Sequence, residues 1–282
     1  VVHALYVLLK NSAMPSSNNL TTKCLAALST PKKGRVNVVR EALMSGLLAD
    51  PMFITPLVAA LSDRSAVFAD YIADEILPQV GVSLVKPLLI GIDALPEPIR
   101  YRHLRVIRRL APQAAKKCAR NSARAKHTKL ALECIDLLSG SKSDASLLME
   151  LARNRSTERS ASSYRALSGI SDDFVQEFLR ESLVQGIGFP EFSVAYHPNA
   201  SLCATISDML SVRLQALETG DILSKSDARH LISLVESAAG QNWSGFDEIL
   251  NRCIKVAANI QGNIQAYACF DLDFAQATFE AV

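Results

Sequence analysis

Apolar residues recur along much of this chain at spacings of three and four, the period of one face of an α-helix. Between 97 and 110, Ile99, His103, Val106, Ile107 and Leu110 fall on one side; between 174 and 183, Phe174, Phe178 and Leu179 do the same. No stretch keeps the strict alternation of a half-buried strand, so no sheet is expected. Polar acceptors mark the places where helices would begin: Ser62-Asp63-Arg64, Ser143-Asp144 and Ser171-Asp172-Asp173. Side chains of this kind accept hydrogen bonds from the unpaired N–H groups of a first helical turn.

The helical pattern repeats. Four apolar stretches end in a short polar turn: Ile76-Leu77-Pro78-Gln79, Arg109-Leu110-Ala111-Pro112, Leu137-Leu138-Ser139-Gly140 and Ala166-Leu167-Ser168-Gly169. Their marker leucines, 77, 110, 138 and 167, lie 33, 28 and 29 residues apart. Each turn is followed by a second periodic segment, at 84–92, 114–119, 145–152 and 174–183. Ile54-Thr55-Pro56-Leu57-Val58 also echoes Val85-Lys86-Pro87-Leu88-Leu89, with prolines 31 apart. Proline is tolerated in an opening turn because its missing N–H would be unpaired there anyway. Each unit therefore reads as helix, tight turn, helix in roughly 30 residues. Such a pair cannot bury its apolar stripe alone, so neighbouring pairs must cover it.

This pattern resembles the HEAT repeats of the armadillo-like α-solenoid family, over residues 20–185. The resemblance implies an all-α fold, a right-handed superhelical solenoid of antiparallel helix pairs. Around it, residues 1–19 read as an N-terminal segment or partial repeat and 186–199 as a connecting loop. Residues 200–282 read as C-terminal helices (200–218, 226–239 and 244–259), forming irregular repeats or a cap. The loop is either a binding insertion using Phe189, Phe192, Tyr196 and His197 or a connector pinned by those aromatics. Apolar residues at both ends, Leu5, Val7 and Leu8 and then Phe270, Phe274 and Phe279, point to cover by flanking sequence or a partner.

Composition narrows the setting. Of 282 residues 49% are apolar and 21% charged, which excludes wholesale disorder. The six cysteines, Cys24, Cys118, Cys134, Cys203, Cys253 and Cys269, include no C-x-x-C pair. They read as reduced thiols, which implies a cytoplasmic location. The apolar run 4–9 is shorter than a signal-peptide core, and 82–95 is interrupted by Lys86, Pro87 and Asp93, so no membrane association is expected. The chain opens Val-Val without Met, which reads as a fragment or a processed form.

Catalytic chemistry finds little footing. No phosphate-binding glycine loop, zinc-protease helix or nucleophile elbow occurs, and none of the five histidines has another histidine or a cysteine three or four residues away. No catalytic residue, metal or cofactor is expected. His103 reads as a buried, hydrogen-bonded core residue. Asp70 and Asp74 could share a helix face as paired carboxylates for acid–base work, or form an acidic solvated helix end.

Charge is distributed unevenly. Residues 97–129 carry eleven basic side chains against the single acid Glu97, a net +10, in a chain whose total is only +2. Arg102, Arg105 and Arg109 fall within about 60° on a helical wheel, away from the apolar face. With Arg108, Lys116, Lys117, Arg120, Arg124, Lys126 and Lys129 they read as a basic strip across adjacent units. Crowded arginines call for an anion: backbone phosphate, an acidic protein surface, or the chain's own acid-rich 172–221; plain solvation is the remaining reading. Tyr101 is the only aromatic there, so a nucleic-acid partner would be held by its backbone without base stacking. The chain thus reads as a non-catalytic scaffold for a protein partner. Sequence-independent nucleic-acid binding is the alternative, and an enzyme on a HEAT-like frame a third.

Overall fold

The computed structural model describes residues 14–185, 200–219, 225–238 and 246–262. Among these residues there are helices and the turns between them and no strand. The chain divides into two compact units, residues 1–137 and 138–282. The expectations for residues 186–199 and for both chain ends, Phe270, Phe274 and Phe279 included, lie outside the described residues.

In the first unit α1 (Met14–Ser29) and α2 (Arg35–Met44) form a hairpin. Its turn ends on Gly34, whose φ of 80° favours a residue without a side chain. Two 3₁₀ turns (Leu47–Ala49 and Pro51–Phe53) lead into α3 (Ile54–Ala60). One longer rod follows: α4 (Ala66–Tyr71), a π-helical turn (Ile72–Ile76) and α5 (Leu77–Val80). A 3₁₀ turn (Val82–Leu84) opens α6 (Val85–Leu89), and then come α7 (Glu97–Leu110), α8 (Pro112–Ser122) and α9 (Thr128–Leu138). Helix α6 stops short of the expected 84–92 because Ile90 is extended and Gly91 turns left-handed at φ 67°. Along this unit α3 packs on α6, and the π turn on α7.

The second unit opens through a 3₁₀ turn (Lys142–Asp144) into α10 (Ala145–Ala152), which pairs with α11 (Thr157–Ser168). Helix α12 (Asp173–Gln185) packs on α10 and on α13 (Ala200–Glu218), which meets α14 (Lys225–Ala238) and α15 (Phe246–Gly262). These last three helices match the expected spans to within a few residues. No described helix is long and apolar enough to cross a membrane.

Burial defines a tighter register than the marker leucines did. In the first helix of successive pairs, or the 3₁₀ turn that opens it, Phe53, Leu84, Ala115, Asp144 and Val175 are buried, as are Leu57, Leu88, Ala119, Leu148 and Leu179 four residues on. In the second helix the corresponding positions are Ile76, Ile107, Leu138 and Leu167, all buried. The numbering steps by 31, 31 and 29 in both series where they overlap, and each second-helix position lies 23 residues after its first-helix counterpart. Leu110 does not belong to this series: it is only half-buried, and Ile107 holds its place. Phe174 is likewise displaced. It is 66% exposed, and the inward face of α12 is Val175, Phe178, Leu179, Ser182 and Leu183.

Candidate functional site: the arginines of helix α7

The strongest charge feature of the sequence lies on α7, and the structure shows what its arginines bind. Arg102 Nε donates to Asp70 at 2.9 Å, and its Nη1 to the carbonyl of Leu61 at 3.2 Å. Leu61 closes α3, where the last carbonyls have no helical N–H to accept. Arg105 bonds the carboxylate of Asp74, with Asp70 3.9 Å from its Nη1. Arg108 reaches forward to α9, donating to Glu133 at 2.8 Å and Asp136 at 2.6 Å. Those two carboxylates hold its guanidinium pKa above the ordinary value, with the Glu133 hydrogen bond the larger cause.

Arg109 answers a defect created by proline. In an α-helix the carbonyl of Asp74 would accept the N–H of residue 78, but residue 78 is proline and has none. The rod passes through its π turn at this point, and Arg109 Nη1 donates to the Asp74 carbonyl at 2.6 Å. Its Nη2 stands 3.8 Å from the Asp74 carboxylate.

Other α7 side chains also close helix ends. Arg100 donates to the carbonyls of Asp93 (2.6 Å) and Leu95 (3.0 Å) in the turn before α7. His103 is buried and meets the Leu88 carbonyl at 3.0 Å. A carbonyl only accepts, so Nδ1 carries the proton, and it serves a group that the extended Ile90 leaves without a helical donor. His103 is thus the hydrogen-bonded core residue expected from its position. It occupies the register of Ile72, Cys134 and Ser163.

Burial, the larger effect, lowers the His103 pKa, against a smaller raising effect of the Leu88 hydrogen bond. The folded chain therefore resists protonating this ring, while an unfolded histidine titrates near its usual value of about 6.5. The contribution of His103 to stability is complete above that value and is lost as pH falls through the folded value. Urea midpoints should drop between pH 7.5 and 5.5 in the wild type and drop less in His103→Gln.

The remaining strip residues divide. Lys116, Lys117 and Arg120 lie on α8, Arg124 and Lys126 in the α8–α9 turn, and Lys129 on α9; all are exposed except the half-buried Lys116. Arg120, Arg124 and Lys126 have interaction partners within the chain. Lys117 and Lys129 pair with no carboxylate among the described residues. The structure therefore does not present one continuous set of free cations.

Asp70 and Asp74, weighed as paired carboxylates, are partners of these arginines. Reasoning from sequence sought the neutralising acids in 172–221; the carboxylates bonded to α7 stand at 70, 74, 133 and 136. It also passed over Arg35 and Asp63, a bidentate pair with both bonds at 2.7 Å. The signal that finds such pairs is opposite charge about one unit apart. Arg35–Asp63 are separated by 28 residues, Asp70–Arg102 by 32, Asp74–Arg105 by 31 and Arg108–Asp136 by 28. Lys142–Asp172 of the second unit, at 2.7 Å, keeps the same interval.

No protein-family model, curated protein or solved structure matches this chain. Its chemistry is carried by its own residues. Among the described residues no group of three His, Cys, Asp or Glu side chains stands close enough to hold a metal ion. The five described cysteines are free thiols. Burial pushes Cys24 and Cys253 up to about 11 and Cys134 up to about 12, so they stay protonated and unreactive at neutral pH.

Proposed function

We propose that the chain is a HEAT-like α-solenoid that serves as a non-catalytic scaffold for protein partners. Two regularities support the solenoid: the shared steps of buried positions, and hydrogen bonds that join residues nearly one unit apart. The observation that carries the binding role is the division of labour on the surface of the first unit. Its most conspicuous charges, on α7, are taken up by the chain itself, while large apolar side chains at helix ends face outward. Val67 is 80% exposed, and Val82 and Ile90 are each 73% exposed. Chemical cross-linking in cell extract followed by capture of the full chain should recover a reproducible set of proteins. Val67→Asp with Ile90→Asp should lose that set without unfolding the chain. No reproducible set, or a set unchanged by the substitutions, contradicts the proposal.

A second reading, binding of a phosphate backbone, is favoured by Lys117 and Lys129, which are exposed and have no carboxylate partner among the described residues. It expects duplex affinity that falls steeply with salt and drops further in Lys117→Glu with Lys129→Glu. Fluorescence anisotropy with unrelated duplexes checks this. The scaffold reading expects weak binding, insensitive to the two substitutions.

A further inference from the structure

The turn between α8 and α9 is closed by one carboxylate and one imidazole. Glu97, in the first turn of α7, accepts the backbone N–H of Lys126 at 3.1 Å and that of His127 at 2.8 Å. His127 in turn caps α9. Its carbonyl accepts from the N–H of Ala131 at 3.1 Å, and its Nδ1 from the N–H of Leu130, the third residue of the helix, at 3.2 Å. A backbone N–H can only donate, so Nδ1 holds no proton here. The ring is neutral, with its hydrogen on Nε2.

Charged and aromatic groups from α7, from the turn and from α9 surround that ring. From α7, Glu97 interacts electrostatically with His127, and Arg100 acts on the same carboxylate. Also on α7, Tyr101 lies with its ring centre 5.8 Å from the imidazole, and the Arg105 guanidinium lies 5.2 Å from the centre of the Tyr101 ring. The turn itself contributes Arg124 and Lys126, and α9 contributes Lys129. Glu97 is thus the one acid of this group, amid several cations.

A proton added from solvent to Nδ1 would set two donors facing each other. The Leu130 N–H would lose its acceptor, and an imidazolium would stand at the positive end of the α9 dipole. We propose that His127 is a two-position switch. Neutral, it caps α9; protonated, it releases Leu130 and turns to the Glu97 carboxylate, opening the first turn of α9 and the loop that displays Lys126.

Amide hydrogen exchange and imidazole ¹⁵N spectra of the full chain test this. At pH 7.5 the spectra should show His127 with a bare Nδ1 and a protonated Nε2. Between pH 7.5 and 5.5, after correction for intrinsic exchange, Leu130 protection should fall roughly five- to tenfold, the size of a lost helix cap. The Leu167 amide in α11 serves as the reference for global opening. His127→Asn, a cap that does not titrate, should keep Leu130 protection constant, and His103→Gln should leave the wild-type response in place. An Nδ1–H tautomer at pH 7.5, an equal response in His127→Asn, or loss of the response in His103→Gln overturns the proposal.

Discussion

Ile107→Ala is expected to destabilise the chain by about 2–5 kcal/mol, while Leu110→Ala, three residues on in the same helix, costs about 1 kcal/mol or less. The two changes remove similar amounts of hydrocarbon. They differ in place: Ile107 is fully buried in register with Ile76, Leu138 and Leu167, and Leu110 is half-exposed beside it. Alanine at a buried site loses the transfer energy of the side chain and leaves a cavity that the neighbouring helices cannot fully close. Urea unfolding of the two variants decides the register. Equal losses, or a larger loss at Leu110, would return the repeat to the spacing of the marker leucines.

Arg35→Ala should cost about 3–5 kcal/mol, the usual effect of removing one partner from a covered ion pair. The Arg35 side chain is 8% exposed and that of Asp63 is 13% exposed. The guanidinium also lies 3.6 Å from the centre of the Phe68 ring, so its loss removes packing as well as charge. The Arg35 hydrogen bond is the largest cause holding the Asp63 carboxyl below its ordinary range. A depressed carboxyl pKa contributes stability that is present above the unfolded value and is lost as pH falls through the folded one. The gap between wild type and Arg35→Ala should therefore be full at neutral pH and shrink in acid. Chemical denaturation of both proteins at pH 7 and pH 3.5 measures it.

Much of the helical layout was legible from periodicity alone. The span 97–110 is helical from end to end, as expected, and so is 145–152, because in these stretches the apolar spacing and the flanking turn residues agree. The register was less legible. A helix presents two or three adjacent apolar positions to its neighbours, and sequence does not say which of Ile107 and Leu110 goes deeper. Phe174 was misplaced for a related reason: it satisfies the period with Phe178, but it sits on the solvent side of the face that Val175 and Leu179 bury.

The arginines of α7 were the hardest to read. Their partners are carboxylates about one repeat away and backbone carbonyls at helix ends, and no carbonyl is visible in a sequence. Pro78 was a usable sign, since a proline in a helical stretch leaves an unpaired carbonyl four residues back. The residue that answers it, Arg109, lies 35 positions from Asp74. A local charge count therefore does not show that the α7 arginines of the net +10 strip tie neighbouring helices together.

That account depends on the α7 guanidinium groups binding their own chain, and a double-mutant cycle on Arg105 and Asp74 tests it most directly. The two side chains are 23% and 26% exposed, covered enough for their interaction to register in stability. Urea unfolding of the wild type, Arg105→Ala, Asp74→Ala and the double variant should give a favourable coupling of about 1–3 kcal/mol. A coupling within about 0.3 kcal/mol of zero would contradict the account, because Arg105 would then not be tied to Asp74.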